Sequence, residues 1–234
     1  MRNQLSVSFF KIRHSWFIYF AVVGMASLAV YYGYCKLAGL GFGLYEAFTD
    51  TICDTSLMFL LALVSAWFIG NDFSNRTIHH EITLGYSRLS ILVVRELAAY
   101  LFAVVLHFTF IIFTMLGLGI KTGVFTCVFE KQDLFWCLAV SIQLIAMQSM
   151  IVLITILCAK ATSAIAASVL FMIITCNLLR NFVVDEGAIF TKSVFCLAYN
   201  NTSENLSQIS LVAVLTWLIV LVLTYVVFRK KDIE

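Results

Sequence analysis

Residues 71–88 read Asn71-Asp72-Phe73-Ser74-Asn75-Arg76-Thr77-Ile78-His79-His80-Glu81-Ile82-Thr83-Leu84-Gly85-Tyr86-Ser87-Arg88, the longest polar interval lying between two strongly apolar segments. The interval carries a helix pattern of its own. Ile78, Ile82 and Gly85 stand at i, i+4 and i+7, flanked by Phe73 and Leu84. Asp72, Ser74 and Asn75 offer oxygens to cap a helix start, and Gly85 offers a stop. Ser87 is placed to cap the next helix, which opens with Ile91-Leu92-Val93-Val94 and runs on into a long apolar stretch. The interval therefore reads as a short helix held at a membrane surface between two spans. Its outer face has no lipid to satisfy it, which makes it a docking element.

Working outward, the composition agrees with a membrane setting. The chain is 62% hydrophobic and 12% charged, with a mean hydropathy of +0.99. Soluble proteins carry about 25% charge, so a soluble globular domain is excluded. Apolar runs of about 20 residues, the length that crosses a hydrocarbon core, recur along the whole sequence. Six spans are expected, at Trp16–Cys35, Thr55–Gly70, Ile91–Ile120, Leu134–Cys158, Thr162–Leu179 and Ile209–Phe228. The third is long enough to include a turn outside the lipid. Only Ala159-Lys160-Ala161 joins the fourth to the fifth, which makes them a tight hairpin. No linker or low-complexity tract interrupts residues 1–234, so a single all-α membrane domain is expected.

Residues 1–15 are amphipathic, with Leu5, Phe9, Ile12 and Trp16 along one stripe and Arg2, Lys11 and Arg13 adding positive charge. This pattern reads as an interfacial helix on an anionic leaflet. Residues 180–208 form the longest loop on the opposite side and contain the apolar patch Val194-Phe195-Cys196-Leu197-Ala198-Tyr199, a short helix dipping back into the outer leaflet. Lys and Arg set the orientation. With the N-terminus inside, the cytoplasmic segments hold Arg2, Lys11, Arg13, Arg76, Arg88, Arg95, Lys160, Arg229, Lys230 and Lys231. The other side holds only Lys36, Lys121, Lys131, Arg180 and Lys192. Both termini and residues 71–88 are thus expected at the cytoplasmic face of a plasma membrane.

The run Asp72-Phe73, Thr77-Ile78, then Leu84-Gly85-Tyr86-Ser87-Arg88-Leu89-Ser90-Ile91 resembles the coupling region of ABC-2 type permeases. That family has an acidic residue before Phe, a Gly-Thr-Ile, and an apolar-Gly-x-Ser-Arg-x-x-Ile run between its second and third spans. Here Arg76 stands where the family often has Gly. The resemblance implies that Asp72, Phe73, Arg76, Thr77, Ile78, Glu81, Ile82, Gly85, Ser87 and Arg88 form the contact with a separate ATPase. It also implies re-entrant helices between the last two spans, and dimer contacts through the first and fifth.

Enzymatic chemistry is not legible. The P-loop spacing G-x-x-x-x-G-K-[ST] is absent, so ATP and Mg would sit on the partner ATPase and this chain would bind no cofactor. Adjacent His79 and His80 project about 100° apart, unlike the paired ligands of H-E-x-x-H, so no metal site is expected. Together with Glu81 and Arg76 they form either a solvated helix face or a contact with the ATPase. The seven cysteines show no C-x-x-C spacing and act as small hydrophobes. Within the spans, His107, Gln143, Gln148 and Asn177 are candidates to line a pathway. The plainer reading of each is an interhelical hydrogen bond. Ser163/Ala167 and Ala164/Ser168 give small-xxx-small pairs that suit close packing within the chain or dimerisation.

These features lead to the permease subunit of an ATP-driven exporter, moving a peptide or amphipathic substrate with an ATPase homodimer and a second permease copy or homologue. The size and motif variant look most like permeases for antimicrobial or lantibiotic peptide export or immunity. A non-transporting scaffold or sensor subunit, or an intramembrane enzyme built around His107, are the alternatives. Membrane lipids are expected partners and nucleic acid is not.

Overall fold

The computed structural model describes residue 10 and residues 13–54, 57–175 and 203–231. Helix α1 spans Trp16–Tyr31 and runs straight into a π-helical turn at Tyr32–Leu37. Helices α2 (Leu44–Ile52), α3 (Leu57–Ser74), α4 (Thr77–Thr83) and α5 (Arg88–Thr122) follow. After them come α6 (Lys131–Cys158), α7 (Ala161–Met172) and α8 (Ser203–Lys230). The described residues contain no strand.

Four helical segments are long and apolar enough to cross a membrane: Trp16–Leu37, Arg88–Thr122, Lys131–Cys158 and Leu206–Lys230. The 22 residues of the first reach about 33 Å at 1.5 Å per residue. Two further apolar helices, Phe59–Ser74 and Ala161–Thr175, are shorter. Each of the six falls on an expected span. The expected scheme has no counterpart to α2, whose buried Leu44, Ala47, Phe48, Thr51 and Ile52 follow helical spacing. The Glu46 carboxylate caps its first turn by accepting from Gly43 N–H at 2.8 Å. The expected interfacial helix over 1–15 falls largely outside the described residues, as do 180–202. Residues 203–208 belong to the start of α8, which begins about two turns before the expected Ile209.

Helix α6 is the hub, touching α3, α5, α7 and α8. Its buried side includes Trp136, Val140, Leu144, Met147 and Ile151, which join the main core with Leu61, Leu106 and Phe110. Helix α1 lies along α5 and α3 lies along α7. Both contacts depend on missing side chains. A Cβ on Gly33 would collide with the backbone oxygen of Thr114, and one on Gly117 with that of Val30. A Cβ on Gly70 would stand 2.7 Å from Ala161 Cα. In lipid, where hydrophobic burial drives helix association only weakly, such close backbone approach is what holds helices together.

Candidate functional site

The polar interval folds as one structured corner between α3 and α5. Helix α3 continues to Ser74, so Asp72 and Ser74 belong to its last turn, Asn75 directly follows it, and none of them caps α4. Ser74 Oγ instead donates to Gly70 O and accepts from Ala161 N–H at 3.1 Å, linking the ends of α3 and α7. Asn75 donates to Asn71. The residue before α4 is Arg76, held left-handed at φ 56°. Positive φ is a conformation that glycine adopts without the steric cost an arginine meets there.

The stop of α4 forms as expected. Gly85 takes φ 85°, its N–H donates to Ile82 O, and Tyr86 N–H donates to Glu81 O. This pair of bonds is the Schellman arrangement, which satisfies carbonyls left over at a helix end. Ser87 then caps α5 by accepting from Ser90 N–H at 3.2 Å. The exit from α4 into α5 is thus shaped by the residues that the sequence marked for it, and the entry at Arg76 is not.

Helix α4 has two unlike faces. Ile78 is buried and Ile82 half-buried, in a cluster with Ile69, Ile91, Leu92 and Phe228, and Phe73 meets Phe228 edge-on. On the other side His80, Thr83 and Leu84 are exposed, with Leu84 at 76%. Thr77 and His79 are intermediate.

Beneath α4 lies a feature that the sequence reading assigned only to general positive charge. Arg95, 3% exposed on α5, places Nε 2.7 Å from Asp72 Oδ2 and Nη2 2.6 Å from Glu81 Oε1. Asp72 is on α3 and Glu81 on α4, so one guanidinium fastens the short helix to both of its neighbours. The fork of a guanidinium suits two carboxylates approaching from different directions. Signals for this site were present in the sequence. An arginine just inside an apolar span must find acids, and two lay within the preceding polar interval.

Arg88 serves a different end of the molecule. Its Nη1 lies 3.0, 2.8 and 2.9 Å from the carbonyl oxygens of Phe228, Arg229 and Lys231, at the C-terminus of α8. Lys231 in turn donates through Nζ to the carbonyls of Ile156 and Leu157 at the end of α6, the latter at 2.8 Å. Burial holds the Lys231 ammonium below the usual lysine range.

The intramembrane candidates are separate from this corner. His107, Gln143 and Gln148 are all buried. Neither His107 ring nitrogen nor Gln148 Oε1 has a hydrogen-bond partner among the described residues. Asn177 lies outside the described residues. Cavities of about 740 Å³ between the starts of α6 and α8, and about 390 Å³ between α2, α5 and α6, open at the end opposite the corner. Neither has His107, Gln143 or Gln148 in its wall. Glu96 is a buried acid that the sequence reading did not single out. It accepts from Tyr100 Oη–H, and Tyr100 Oη accepts from Trp217 Nε1–H at 2.9 Å, joining α5 to α8. No group of three potential metal ligands occurs among the described residues. No protein-family model matches the chain, and no curated protein matches it significantly in sequence.

Proposed function

We propose that this chain is the permease subunit of an ATP-driven ABC-2 type exporter and that residues 71–88 receive the motion of a separate ATPase. The observation that carries the reading is the corner itself. A seven-residue helix is braced by Arg95 to the two membrane helices on either side, yet it turns His80, Thr83 and Leu84 outward. A helix so short is not stable alone in water, and bracing its inner side converts a push on its outer side into movement of α3 and α5. Leu84, 76% exposed, is the natural tip to seat in a partner's groove.

In this reading the six apolar helices are six spans, with both termini and the corner on the cytoplasmic side of the plasma membrane. The Asp72, Phe73, Arg76, Thr77, Ile78, Glu81, Ile82, Gly85, Ser87 and Arg88 set divides by task. Ile78, Ile82 and Phe73 anchor the helix, Asp72 and Glu81 brace it, Gly85 and Ser87 shape its exit, and Arg88 ties it to the end of α8. The exposed Arg76 and the half-buried Thr77 meet the ATPase together with His80, Thr83 and Leu84. The pathway would form between two permease copies or homologues, and a peptide or other amphiphile is the cargo.

The test is co-purification of the tagged chain in mild detergent, comparing wild type with Leu84→Asp. An ATPase bearing a Walker A motif, bound stoichiometrically to the wild type and lost from the variant, supports the reading. A stable wild-type preparation that carries no such ATPase overturns it in favour of a scaffold.

A further inference from the structure

The end of α8 is tied into the corner in two steps. In the first, Arg88, one residue past the cap of α5, gathers the α8 carbonyls of Phe228 and Arg229, with that of Lys231 just beyond, on a single guanidinium nitrogen. Those carbonyls have no partner within the helix and carry the negative end of its dipole, so a cation is favoured there. In the second, the residue just past α8, Lys231, reaches across to cap the end of α6 at Ile156 and Leu157. Arg88 makes no contact with α6 of its own in these bonds. Its hold on the Lys231 carbonyl fixes where the Lys231 ammonium can reach.

We propose that Arg88 and Lys231 act in series as positioning residues, a relay that carries the position of the 71–88 corner through the end of α8 to the end of α6. The relay connects the corner to the hub helix by a route separate from the Arg95 brace, which joins α5 to α3 and α4. It does not rest on the ATPase reading, because it concerns how one chain is linked internally. Glu96–Tyr100–Trp217 keeps α5 and α8 in register further along, so a shift at the first turn of α5 is carried by α8 as a body.

Cys158 supplies a native reporter. It is the last residue of α6, half-buried, with a free thiol, and directly follows the two carbonyls that Lys231 caps. The experiment measures the rate of Cys158 modification by a maleimide in the purified full chain, read by peptide mass mapping, for Arg88→Gln, Lys231→Met and the double variant. Each rate is scaled to the fully ionised thiol from its pH dependence, because Lys231→Met also removes an ammonium that acts on Cys158. The expected result is a rise of roughly tenfold or more for each single variant, the lower end of the scale for losing a hydrogen bond to a charged group. The double variant should react no faster than Lys231→Met alone, since both remove the same link. Lys231→Arg, which keeps a cationic donor, should restore the slow rate and guards against a general loss of folding. Unchanged Cys158 reactivity in Arg88→Gln, or multiplied effects in the double variant, would show two independent caps and overturn the relay.

Discussion

Arg95 is the residue on which the corner turns. It is buried with both of its acids, and removing one member of a buried ion pair strands the rest in a medium that cannot solvate them. Arg95→Gln is therefore expected to lower stability by about 3–5 kcal/mol, seen as a large fall in Tm in detergent. An unchanged Tm would mean that the carboxylates find water at this corner and the brace carries little. Arg76 makes the opposite case. Its left-handed backbone costs a non-glycine residue about 1–2 kcal/mol, and its side chain is exposed. Arg76→Gly should recover part of that strain, less the added freedom of the unfolded chain, for a net gain of up to about 1 kcal/mol. Gly85, also left-handed and with nothing within 4 Å of an added Cβ, should lose stability on Gly85→Ala through conformation alone. The pair of Tm shifts, up for Arg76→Gly and down for Gly85→Ala, is the check.

At the scale of elements, most of the helices were legible because length and apolarity decide them, and the caps Gly85 and Ser87 marked the corner in advance. The start of α4 was not. Asp72 looked like a cap, but α3 runs on past it and Arg95 claims its carboxylate, an attraction between groups 23 positions apart that no local pattern contains. Helix α2 was missed for a related reason. Its nine residues lie in a connection too short to span, and their helical spacing has meaning only once α5 lies beside them. The Gly33 and Gly117 contacts were equally invisible, since a glycine in an apolar run does not reveal which helix it will meet. Their consequence is testable. Gly117→Val must push α1 away from α5, because backbone stands opposite and cannot move aside as a side chain would. Gly24, on the same helix as Val30 but with nothing within 4 Å, is the control. Gly24→Ala should be neutral or gain up to about 1 kcal/mol from helix propensity, whereas Gly117→Val should be destabilising by an overpacking cost of about 1–3 kcal/mol.

For the whole molecule, basic residues are uneven between the two ends of the bundle. Among the described residues Arg76, Arg88, Arg95, Lys160, Arg229, Lys230 and Lys231 gather at the end with the corner, against Lys36, Lys121 and Lys131 at the other, where Glu46, Asp50, Asp54, Glu130 and Asp133 also lie. Positive charge stays on the cytoplasmic side during insertion, so this polarity predicts the corner inside. Two exposed residues can report it. Val128, 85% exposed in the connection between α5 and α6, sits at the acidic end, and Leu84, 76% exposed, marks the basic end. In a chain with its seven native cysteines replaced, Val128→Cys should react with a membrane-impermeant maleimide in intact cells. Leu84→Cys should react only after the membrane is opened. The reverse pattern would place the corner outside, where no ATP-driven motor can reach it, and the exporter reading would fall with the orientation. Labelling of both from outside would mean that the α5 segment does not cross. Because α5 is the longest and among the most apolar of the helices, that outcome would also break the link between apolar length and membrane crossing on which the whole architecture rests.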